Sequence, residues 1–342
     1  MYSFNNDYSE GAIPEIIEEL QKTNLNQTVG YGMDEVSLHA KQKIKEVLSC
    51  ATCDVHFLVG GTQANTTIIA SALRPYEAVI ACVSGHINVH ETGAIEATGH
   101  KVIVAPGVNG KLTKDDIKYV VMSHRDEHMV KPAMVYISDT TEIGSVYNKE
   151  ELQALREVCD EYGLLLFIDG ARLGCALTAP DNDVQFSDLC KYADVFTIGG
   201  TKNGALFGEA VVIVNECLKK DFRYMIKQHG GMLAKGRLLG LQFNCLFEQN
   251  RYLKLAKHAN EMAALLSEAF VECGYALYTK STTNQVFVAL PNTIIERLKE
   301  NYLFELWEEI DEYNTAMRFV TSWATPKEAV LKFIEDLKQI ED

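Results

Sequence analysis

Short apolar runs at 55–59, 78–83, 101–105, 133–137, 164–168, 195–198 and 210–214 punctuate the first two thirds of the chain, and helical patterns separate most of them. They do not alternate apolar with polar residues; such continuous runs belong to strands covered on both faces. The pattern predicts an α/β fold: a seven-stranded, mainly parallel sheet sandwiched by helices. The runs at 195–198 and 210–214 lie too close for a helical crossover, so they are expected to pair antiparallel. Among the helices, 148–162 is the clearest, with Asn148 as cap and Glu151 three residues on in a capping-box arrangement. A half-buried helix over 33–48 carries Val36, His39, Ile44 and Val47 among charges.

From residue 248 the pattern changes. A helix over 251–273 puts Tyr252, Leu255, Ala259, Met262, Leu266 and Ala269 on one face. Strands are expected near 276–278, 285–289 and 316–321, and a closing helix over 326–340 opens with Thr325, Pro326 and Glu328. Three parts follow: an N-terminal arm (1–30) with one short helix, a large domain (31–247) and a small α+β C-terminal domain (248–342). An aperiodic arm of this kind is expected to reach a neighbouring subunit.

Composition narrows the class without naming a reaction. The 342 residues carry a net charge of -15, which argues against nucleic acid or an anionic membrane as partner. No apolar run approaches the roughly 18 residues of a membrane span. The first residues lack a basic region and an apolar core, so a cytoplasmic protein is expected. Nine cysteines, mostly within apolar segments, fit a reducing compartment. Cys50 and Cys53 have a redox or metal spacing but no second pair, so packed thiols are expected and no metal.

The run at 164–168 ends abruptly in Asp169-Gly170-Ala171-Arg172, and the run at 195–198 leads through Gly199-Gly200-Thr201 to Lys202. An acid at the carboxyl end of a strand faces the ligand crevice of an open α/β sheet. Glycines around Lys202 let backbone and ligand approach closely. A strand-terminal acid with such a lysine is the pairing that pyridoxal 5'-phosphate (PLP) requires: the amine carries the cofactor, and the acid keeps its ring nitrogen protonated. Gly60-Gly61-Thr62 turns from the first strand into a helix, where backbone N–H groups suit a phosphate. His86 opens the helix after the second strand and could lie on the cofactor ring. His124 and His128 both occupy a polar loop before the fourth strand, and nothing intrinsic separates them.

With these residues assembled, the chain resembles the threonine aldolases of the β-eliminating lyase group, among the fold-type I PLP enzymes. Asp169-Gly170-Ala171-Arg172-Leu173 carries the resemblance most specifically; His86-Ile87, Gly61-Thr62 and Tyr31-Gly32 add to it. The resemblance implies that Asp169 pairs with the pyridine nitrogen, Arg172 contacts the phenolic oxygen, and His86 stacks on the ring. It selects His128 over His124 as the second active-site histidine and Arg318 as the group that binds the substrate carboxylate. Tyr31 would complete the site of a neighbouring subunit. Several positions depart from the family's pattern. Thr201-Lys202-Asn203-Gly204 replaces Ser-Lys-Gly, Lys235 stands near the usual phosphate-binding arginine, Ser138-Asp139-Thr140-Thr141-Glu142 replaces Glu-Asn-Thr-His, and Asn6-Asp7-Tyr8 replaces Ser-Asp-Thr on the substrate side.

The function implied is cleavage of β-hydroxy-α-amino acids to glycine and an aldehyde by a homodimer or homotetramer with shared sites, with His86 or His128 as base. Another PLP-dependent lyase, racemase or aminotransferase on the same scaffold is the alternative, and a non-enzymatic α/β binding protein is a further one.

Overall fold

The computed structural model describes residues 1–341. After the two-residue β1 (Tyr2–Ser3) come β2 (Asp54–Leu58), β3 (Glu77–Cys82), β4 (Val102–Ala105), β5 (Lys131–Ser138), β6 (Leu165–Asp169), β7 (Val195–Gly199) and β8 (Glu209–Ile213). The last seven form one sheet in the order β2-β8-β7-β6-β5-β3-β4. Pairing from β7 to β4 is parallel, while β8 runs antiparallel to both its neighbours, β7 and β2. Because β8 is reversed, it begins at the edge where the parallel strands end. Successive residues serve opposite faces: Leu166 and Phe196 join one apolar cluster, Phe167 and Val195 the other. Burial on both sides explains the unbroken apolar runs.

Local signals place the covering helices. Asn148 caps Lys149–Tyr162, accepting from Glu151 N–H at 2.8 Å while Glu151 reaches back to Asn148 N–H at 2.9 Å. Asp34 caps Glu35–Val47 by accepting from Ser37 N–H at 2.8 Å. No described helix is long and apolar enough to cross a membrane.

Helix Arg251–Glu272 leads to the C-terminal part, where β9 (Gln285–Pro291), β10 (Tyr302–Leu303), β11 (Glu305–Glu309) and β12 (Asn314–Val320) follow. An antiparallel sheet of order β11-β12-β9 packs with helix Lys327–Glu341 around Phe270, Phe304, Phe319 and Phe333. The strand expected at 276–278 is only an isolated bridge, Leu277 to Val288. Edge strand β11, with Glu305, Glu308 and Glu309, was not anticipated, because its exposed acidic face reads as a charged loop.

The start of the chain is no free arm. β1 pairs in parallel with β10, and Phe4 is fully buried against Tyr302, Phe319 and Phe333. An aromatic ring with that much apolar surface is stabilised by the nearest incomplete core, which here is the chain's own C-terminal part.

Candidate active site

β6 and β7 end in a crossing of bare backbone. Gly199 N–H donates to Gly170 O at 2.9 Å, and Gly170 N–H donates to the Thr197 hydroxyl at 2.8 Å. A Cβ on Gly170 would stand 2.1 Å from the Thr197 carbonyl oxygen, and one on Gly199 would stand 2.2 Å from that of Ala171. These glycines, Gly170 and Gly199, therefore admit the protein's own main chain. Their contact fixes Asp169 and Lys202 relative to each other.

Asp169 is buried, and its carboxylate is held from several sides. Oδ2 accepts from Tyr136 Oη at 2.7 Å and from Asn65 Nδ2 at 2.9 Å; Oδ1 accepts from Ala171 N–H at 3.0 Å. Asn65 Nδ2 also donates to Glu91 Oε1 at 2.7 Å, and that same oxygen lies 2.8 Å from His86 Nδ1. Glu91 accepts, so Nδ1 carries a proton, and in the neutral imidazole Nε2 is then the accepting nitrogen. The main chain of His86 is also anchored, donating to Glu142 Oε1 at 2.8 Å, an oxygen that accepts from Ser138 Oγ at 2.6 Å. Burial raises the Glu142 carboxyl above its ordinary value.

Lys202 shares this cleft, and among the described residues no ion pair involves its Nζ. Burial, then the Arg172 charge, lowers its basicity, against the pull of Asp7, Asp169 and Glu209. Glu209, at the start of the reversed strand, is buried beside it with Oε2 unpartnered. Burial and then Asp169 push its carboxyl up to about 8, against Lys202 and the Thr201 hydroxyl. Arg172 is turned onto Asp7, with Nε at 2.6 Å and Nη2 at 3.0 Å.

One cavity of about 310 Å³ is lined by Gly60, Gly61, Thr62, His86, Asp169, Arg172, Lys202 and Glu209, among others. No side chain caps helix Gly61–Ala72, and nothing lies within 4 Å of where a Cβ on Gly60 or Gly61 would stand. Its first-turn N–H groups thus offer an open anion site. A second cavity of about 280 Å³ is also lined by His86, Arg172 and Lys202, and extends to Arg318. Amine, ring-nitrogen acid and phosphate cradle stand in one pocket, so the donor set fits PLP.

Four expected site residues lie elsewhere. His128 is exposed in the loop entering β5, at the other end of the strand from Ser138 and roughly 20–25 Å along it. The resemblance selected it, and the topology of a single chain keeps it from Lys202. Tyr31 and Lys235 are exposed and share another face, where Tyr31 N–H donates to Ala234 O at 3.2 Å and Lys227 lies over the Tyr31 ring at 5.4 Å. Asn6 is engaged locally, accepting from Tyr8 N–H at 3.0 Å and Ser9 Oγ at 2.9 Å. Asp7 and Tyr8, not Asn6, meet the site's residues.

The fold and this pocket define a fold-type I enzyme of the PLP-dependent class. A solved structure of aspartate aminotransferase from Thermus thermophilus, 13% identical, has the same fold, with TM-score 0.73 over 99% of this chain and 91% of that one. The sequence matches the beta-eliminating lyase family over residues 6–293, and the chain belongs to that family. Low specificity L-threonine aldolases from a Pseudomonas species and from Pseudomonas aeruginosa are each 32% identical, covering 98% of this chain and 97% of the relative. A solved structure of Leishmania major threonine aldolase is 46% identical and superposes with TM-score 0.99, covering all of both chains.

Proposed function

We propose that the protein carries PLP on Lys202 and cleaves threonine-like β-hydroxy-α-amino acids to glycine and an aldehyde. The observation that carries this reading is the His86–Glu91 pair: a buried carboxylate holds a histidine with its accepting nitrogen free, on the cleft that Lys202 shares with Arg318. Full-length similarity to threonine aldolases supports it.

Gly61 and Thr62 would hold the cofactor's phosphate, Asp169 its ring nitrogen, and Arg172 its phenolic oxygen if the guanidinium shares itself with Asp7. When bound, the cofactor supplies the electron sink that lets the Cα–Cβ bond break. Arg318 binds the substrate carboxylate through its planar fork and so sets which bond at Cα faces that sink. His86 Nε2 accepts the proton of the β-hydroxyl as the aldehyde forms. Within one chain that role falls to His86 and not to His128. Lys202, with its basicity lowered, is placed to move a proton at Cα. Tyr31 and Lys235 would reach the cleft from a second copy, which makes the active unit a homodimer or a larger homo-oligomer.

Product analysis with L-threonine tests the reading. Glycine with acetaldehyde in equal amounts is expected, whereas a 2-oxo acid with ammonia would indicate elimination and overturn it.

A further inference from the structure

Arg318 on β12 stands directly opposite Glu305 on β11, and an ion pair joins its Nη2 to Glu305 Oε2. The glutamate side chain is 52% exposed, the arginine only 17%. Trp307 falls at the register shift between Leu306 and Glu308 and lies over the guanidinium at 5.7 Å, while Phe287 meets the indole edge-on. A bulge re-aims a side chain in this way. Gln285 reaches Nη1 only at 3.5 Å, and the buried Nε has no partner. The arginine is thus fixed on its aromatic platform, with one arm taken by a half-exposed acid and another donor idle. A planar carboxylate that used both donors of one edge would outcompete a single contact.

We propose that Glu305 is a built-in competitor of the substrate: it occupies Arg318 until the α-carboxylate of an amino acid displaces it, and so sets amino acid affinity. The proposal rests on Arg318 being the carboxylate site. An ion pair with a half-exposed partner is weak, so displacement is accessible. The displaced Glu305 carboxylate stays on the strand beside the clamp, where it disfavours amino acids with anionic side chains relative to neutral hydroxylated ones.

Titrating the PLP-loaded enzyme with glycine and with L-aspartate, followed by the cofactor's visible absorbance, tests this. Glu305→Gln is expected to tighten glycine by about two- to fivefold and L-aspartate by more. KM for threonine should fall while kcat stays close to that of the parent. Unchanged or weaker glycine binding in Glu305→Gln would overturn the proposal, because a purely structural strand contact gives that result. Arg318→Gln separates the two levels. Parental glycine affinity in that variant overturns the clamp itself. Lost affinity there, with no gain in Glu305→Gln, overturns only the competition.

Discussion

Arg172 grips Asp7 with Nε at 2.6 Å and Nη2 at 3.0 Å, and Asn284 Nδ2 gives the same aspartate a third bond at 2.9 Å. The first residues of the chain, the end of β6 and the C-terminal part thus meet at one buried carboxylate. Burial alone would raise that carboxyl; Arg172, then Lys202, outweighs it and holds Asp7 below the ordinary carboxylate range. With the folded value depressed, the stabilisation is present above the unfolded value of about 3.9 and is lost as pH falls through the folded value. Asp7→Asn is expected to lower the unfolding free energy by about 3–5 kcal/mol at neutral pH, since it strands a largely buried guanidinium. Urea unfolding of both proteins at neutral pH and again below about pH 4 should show the gap narrowing on the acid side; a constant gap would contradict this account of Asp7.

His86 and Glu91 should separate in kinetics. His86→Asn is expected to lower kcat by about 10²–10⁴, the range of a lost general base. Glu91→Gln should cost less in kcat, with KM close to that of the parent and the cofactor still bound, because it misplaces the imidazole without removing it. Steady-state assays on the cofactor-loaded variants check this, and an unaffected kcat in His86→Asn would move the base elsewhere.

Gly170→Ala tests the backbone crossing that sets Asp169 against Lys202. The new methyl would meet the Thr197 carbonyl oxygen at 2.1 Å, a clash expected to cost about 1–3 kcal/mol or more. Unfolding and cofactor retention should both suffer; a variant with parental values in each would show that the crossing yields easily.

The shared-site reading predicts more than one copy per active unit. Light scattering at assay concentration should give a dimer or larger, and Lys235→Glu should weaken PLP retention although Lys235 lies outside its own chain's cleft. A fully active monomer would contradict this.

Much of the sheet was legible because its inner strands, β3 and β6 to β8 above all, are buried on both faces and leave apolar runs. Asp169 and Lys202 stood out at strand ends for the same reason. The network around them did not. Asn65, Glu91 and Tyr136 come from separate elements, and each alone reads as an ordinary polar or aromatic residue; only the folded chain brings Asn65 and Tyr136 onto the Asp169 carboxylate and Glu91 onto Asn65. Glu209 was missed because the expected run began at residue 210, whereas β8 begins one residue earlier, at Glu209. For Arg318, the register of an unanticipated edge strand supplies an acidic partner, Glu305.

Borohydride reduction of the PLP-loaded protein, followed by peptide mapping, tests the central claim most directly. The cofactor adduct is expected on the peptide containing Lys202 and should be lost in Lys202→Ala. An adduct on a different lysine, with Lys202→Ala still holding PLP covalently, would contradict it.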